Sequence, residues 1–90
     1  MVLDTLNVRV HRLYRFEHDK PLKAFVDLSI NDALVITGVR IIEGREGLFV
    51  SMPREQGKDQ KWYDKIRFLE KTVKDHISEV VLSAYQSPLN

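Results

Sequence analysis

Seven cations, Arg54, Lys58, Lys61, Lys65, Arg67, Lys71 and Lys74, fall within residues 54–74 against four acids, Glu55, Asp59, Asp64 and Glu70. Residues 1–53 carry seven charges of each sign, and residues 75–90 carry only Asp75 and Glu79. The net charge of +1 hides this distribution. Cations gathered in this way neutralise backbone phosphates and release condensed counterions, so their binding weakens with salt. Such contacts set affinity and register but do not read sequence. Charge runs are also what solvated helix faces need, and taken alone this run reads first as such a face.

Other chemistry finds little support. His11, His18 and His76 are scattered, with no His-x-x-x-His or Glu-x-x-His pairing, and the chain has no cysteine. No metal site follows from that inventory. Ser51 lies before Met52-Pro53 without a nucleophile elbow or a partnered base, so no catalytic residue and no cofactor is expected. Gly44-Arg45-Glu46-Gly47 has the glycines of a phosphate loop but not its helix or its spaced lysine. Its glycines read as sources of positive φ for a hairpin. Arg9, Arg12 and Arg15, with His11 and Tyr14, could stack on unpaired bases. They read better as the charged guard of an edge strand. Arg40 stands mid-strand, to pair with an acid such as Asp27 or to reach a partner subunit. Trp62-Tyr63 reads as an anchor holding a loop to the sheet, with base stacking as the other option.

These residues need elements to hold them. Residues 6–14 alternate in part, with Leu6, Val8 and Val10 on one face. Alternation is cleaner over 22–30, where Leu22, Ala24, Val26, Leu28 and Ile30 share a face. Asn31-Asp32 makes a tight turn, since both tolerate positive φ. Residues 34–43 are apolar on both faces: Leu34, Ile36 and Ile42 on one, Val35, Val39 and Ile41 on the other. Such a strand is normally covered on both sides. A fourth strand, 48–52, stops at Pro53, which cannot donate to a ladder. Residues 54–64 read as a polar loop. From 66 to 86 the period changes, and Ile66, Leu69, Val73, Ile77, Val80 and Ala84 mark one face of a helix. Leu82 falls on the opposite, polar side, and Ser87-Pro88 ends the helix.

The order of elements and the run Gly47-Leu48-Phe49-Val50-Ser51-Met52-Pro53 resemble the SpoVG family, named for stage V sporulation and septation. The preceding Ile36 to Gly44 strand, Asp64 after an aromatic, and Val80-Val81-Leu82-Ser83-Ala84-Tyr85 extend the resemblance over about residues 6–86. It implies a small cytoplasmic regulator that binds nucleic acid and forms a homodimer through its sheets. There are departures. Ser51 and Arg54 stand where the family has alanine and serine, and Glu55 and Gln56 where a basic pair often follows. Phe68 replaces a proline.

The expectation is a single α+β domain over residues 1–90: an antiparallel sheet of four to five strands with one long C-terminal helix packed on it. A core this size is thin, since a chain of 90 residues buries only roughly 60–68% of its unfolded surface. Dimerisation through strand edges or the two-faced third strand would extend that core. Arg54, Lys58, Lys61, Lys65, Arg67, Lys71 and Lys74 are the candidate nucleic-acid contacts. The alternative function is a protein-interaction module using a sheet edge or the Leu82 face. No segment is apolar enough to span a bilayer, and no signal peptide is evident.

Overall fold

A computed structural model describes residues 6–87. The elements are β1 (Val8–Arg15), β2 (Leu22–Ile30), β3 (Leu34–Gly44), β4 (Gly47–Ser51), β5 (Arg54–Gln56), β6 (Trp62–Asp64) and α1 (Lys71–Gln86). Strands β1-β2-β3-β4 form an antiparallel meander, and β5-β6 form a separate two-stranded ribbon. The arrangement is α+β, as the alternation and the change of period require. The Asn31-Asp32 turn forms as expected, with φ of 53° at both residues.

The core lies on one face of the meander. Ala24, Val26 and Leu28 of β2 and Val39 and Ile41 of β3 are fully buried there, under Ile77 and Val81 of α1. The helix crosses this face in contact with β1 and β4.

Bulges decide which side chains reach the core. In β3, Thr37 and Gly38 together face Asp27, because Val26 pairs with Val39 while Leu28 pairs with Ile36. An extra residue shifts the alternation by one. Gly38 carries it at φ of 81°, a conformation that glycine adopts without strain. The face assignment made for β3 is therefore corrected. Ile36, Val39 and Ile41 share the helix side, and Val35, Arg40 and Ile42 share the open side. The strand is apolar in both phases because its phase changes midway.

A bulge at Lys23 in β2 sets Leu22 opposite Ile42 on the open side, so Leu22 does not share the face of Ala24. Another bulge, at His11 in β1, has a similar effect. It turns Leu13 and Arg15 towards the helix and leaves Arg12 and Tyr14 on the open face. Arg15 is thus not an edge guard. Its Nη2 reaches the carbonyls of Ala84 (3.4 Å), Tyr85 and Ser87 (3.3 Å), and its guanidinium stands 5.1 Å over the Tyr85 ring. The last turn of α1 has no basic residue of its own. Arg15 supplies that charge to the negative end of the helix from the sheet. Arg15→Ala should cost about 1–2 kcal/mol, read as a lower Tm in thermal denaturation.

Two expectations for the C-terminal half change. The helix starts at Lys71, not 66, with Glu70 at its N-cap in an extended conformation. Residues 66–70 run irregularly, with Ile66 and Phe68 half-buried and Arg67 and Leu69 outward. The spacing of Ile66 and Leu69 mimicked a helical step that the chain does not take, and Leu69 is wholly exposed. Leu82 is half-buried and packs on the core, because Val81, fully buried, turns that side of the helix inward. Ser87 is the C-cap; Pro88 lies outside the described residues. The Gly44–Gly47 pair closes a turn of Arg45 and Glu46, and only Gly47 of the two has positive φ.

Candidate nucleic-acid interface

The stretch read as a loop is the β5–β6 ribbon. Its residues are exposed on both sides, so no hydrophobic period marks them. What holds it together is polar. Arg54 pairs across the ribbon with Asp64 at 3.2 Å, and Lys65 with Glu55 at 3.0 Å. The Lys65 N–H also donates to the Pro53 carbonyl at 3.0 Å, fastening the base of the ribbon.

The tip is a tight turn from Gly57 to Lys61. The Gly57 N–H donates to the Lys61 carbonyl at 2.8 Å, and the Lys61 N–H donates to Asp59 Oδ1 at 3.1 Å. A Cβ on Gly57 would stand 2.9 Å from both Asp59 Oδ1 and the Tyr63 ring, so the turn needs a glycine there. The Tyr63 hydroxyl donates to Asp59 Oδ2 at 2.5 Å. That bond holds the Asp59 carboxyl below its ordinary 3.8 and pushes the Tyr63 hydroxyl above its ordinary 10.0.

The sign of the pH dependence follows. The depressed Asp59 contributes above pH 3.8 and is lost as pH falls through its lower folded value. The raised Tyr63 contributes below pH 10.0 and is lost as pH rises through its higher folded value. The tip therefore keeps its form across neutral pH. In Tyr63→Phe, Asp59 should titrate closer to 3.8 by carboxyl NMR. An unmoved Asp59 would remove Tyr63 as the cause.

The seven candidate cations separate into two groups. Arg54, Lys65 and Lys71 are ion-paired, the last with Asp75 at 2.8 Å. Lys58, Lys61, Arg67 and Lys74 have no ion pair among the described residues. Arg67, Lys71 and Lys74 do not form one stripe along the helix, because Arg67 precedes it. What forms instead is a cleft. Arg54, Arg67 and Lys74 line a depression of about 480 Å³ with Asp64, Met52 and Phe68, between the ribbon and the start of α1. Three cations there face one carboxylate, which Arg54 already engages. The first turn of α1 has no acidic side chain, but Glu70 stands at its N-cap beside the positive dipole end. Lys58 and Lys61 extend the positive surface to the ribbon tip.

Other expectations fare differently. Arg40 is not paired with Asp27; it stands opposite Phe25, its guanidinium 5.7 Å over that ring. Trp62 and Tyr63 do not anchor the segment by burial: both remain about half exposed, at 53% and 51%. Among the described residues no group of three His, Cys, Asp or Glu side chains could hold a metal ion. No helix among them is long and apolar enough to cross a membrane.

Known proteins share this pattern. The SpoVG family model matches residues 3–87. A SpoVG protein of Listeria monocytogenes is 37% identical over 75 residues, covering 83% of this chain and 74% of that protein. One from Archaeoglobus fulgidus is 33% identical over 75 residues, covering 83% of this chain and 88% of its own. A third, from Lachnospira eligens, is 27% identical over 81 residues, 90% and 92% of the two chains. All three are named as septation proteins. With its meander, its Gly47–Pro53 run and its C-terminal helix, the chain belongs to the SpoVG family.

Proposed function

We propose that this chain is a non-catalytic, cytoplasmic, homodimeric regulator that binds DNA or RNA, with a role in septation like that named for its relatives. The observation that carries the reading is the cleft of Arg54, Arg67 and Lys74, where three cations face the single carboxylate of Asp64. An excess of cations of this kind neutralises backbone phosphates. The free Lys58 and Lys61 lengthen the same positive surface. Arg54 and Lys65 hold the ribbon in place, and Lys71 is occupied by Asp75. The glutamate and glutamine at 55 and 56 serve the ribbon, with Glu55 engaging Lys65 and Gln56 reaching the Gln60 carbonyl at 3.1 Å.

Support for a homodimer comes from the thin core and the free edges. Among the described residues the buried core is eight apolar side chains, and β1 and β4 end the sheet on either side. An edge presents unpaired backbone groups to a second strand.

Gel-shift assays at low salt with single- and double-stranded DNA and RNA test the binding. A shift is expected. With no shift for any of them, docking on another protein takes its place; the wholly exposed Leu69 beside Phe68 and Val73 offers that reading its surface.

A further inference from the structure

The open face of the meander adjoins the first cleft, with Ser51, Met52 and Arg54 at the border of both, and has its own chemistry. Register places Arg12 and Tyr14 of β1, Phe25 of β2, Arg40 of β3 and Phe49 of β4 on that face. Tyr14 and Phe49 are 53% and 48% exposed. Where the face meets the ribbon, Arg40 and Trp62 line a second cleft of about 370 Å³ with Ile42 and Pro53. Arg40 has no ion pair among the described residues; its flat guanidinium lies over Phe25. The one carboxylate in register on this face, Asp27, sits opposite Arg12.

We infer that the Arg40–Trp62 cleft is a stacking site for an unpaired base of single-stranded nucleic acid. This rests on the proposed nucleic-acid binding and assigns it a second surface. Val35, 44% exposed, and Ile42 add apolar area to this face, which would suit a second protein chain if the charges were absent. Here planar cations alternate with exposed rings, which suits a polyanion with free bases: the rings and guanidinium take the bases, and the charge faces the phosphates. A duplex keeps its bases stacked inside and cannot use the site.

Trp62 is the single tryptophan of the chain, so its fluorescence reports the site directly. Short oligothymidylate and oligouridylate should quench it, and a blunt duplex of the same length should not. The ratio between oligodeoxyuridylate and oligouridylate, which share a base, assigns the preferred sugar. By anisotropy of labelled strands, Trp62→Ala and Arg40→Lys should each lose about tenfold for single strands and keep their duplex affinity. Lysine retains the charge but not the flat surface. Equal quenching by duplex, or wild-type single-strand affinity in both variants, would overturn the site. So would a change in the sedimenting mass of the free variants, which would make the face a contact between copies. If duplex binding persists while Trp62 stays silent, this site alone falls. If neither form binds, the proposed function falls with it.

Discussion

Replacing Arg67 and Lys74 together by alanine is expected to flatten the salt dependence of nucleic-acid binding by about two in log–log slope. Replacing Lys65 and Lys71 together should change it by much less. All four residues belong to one basic run, so sequence alone gives the two pairs equal standing. Their surroundings differ. Arg67 and Lys74 line the cleft and have no acidic partner among the described residues. Lys65 and Lys71 each lie within 3.0 Å of a carboxylate oxygen. A cation already neutralised gains less from a phosphate and releases fewer counterions. Exposed pairs of this type are worth little to the fold, about 0–1 kcal/mol each, so neither double variant should unfold the protein. Equal slope changes in the two variants would mean that the cleft is not the binding surface.

The largest effect on stability is expected at Leu28. Leu28→Ala should cost about 3 kcal/mol, a fall in Tm of roughly 15 °C for a chain this size. Leu28 is fully buried, between Val10 and Ile36 in register and under the helix. Leu69→Ala should change stability by less than about 0.5 kcal/mol, because the side chain is wholly exposed. The pair also tests where the helix starts. Were α1 to begin at Ile66, Leu69 would lie on its buried stripe with Val73 and Ile77, and its loss would cost as much as a core leucine.

The meander was legible because its signals are local. Alternation in β2, Asn31-Asp32 and Pro53 each act within a few residues. Three features were not. The bulges at His11 and Gly38 change the phase of a strand, and a fixed period of two cannot represent them. They sent Arg15 to the helix and Ile36 to the core. The ribbon is exposed on both sides, so hydropathy is silent; the cues were Arg54 facing Asp64 and an aromatic pair after a turn with glycine and aspartate. The helix start was obscured by Ile66 and Leu69, whose spacing imitates a helical step. Of the candidate site, the sequence located the basic run but not its division. Ion pairing between Lys65 and Glu55, ten positions apart, depends on the ribbon register.

The affinity of the unmodified protein for duplex DNA over a salt series tests the cleft most directly. Two to four free cations per chain in contact predict a linear fall of log affinity against log salt, with slope between about −2 and −4 for each chain engaged. A slope near zero, or no binding at low salt, would contradict it.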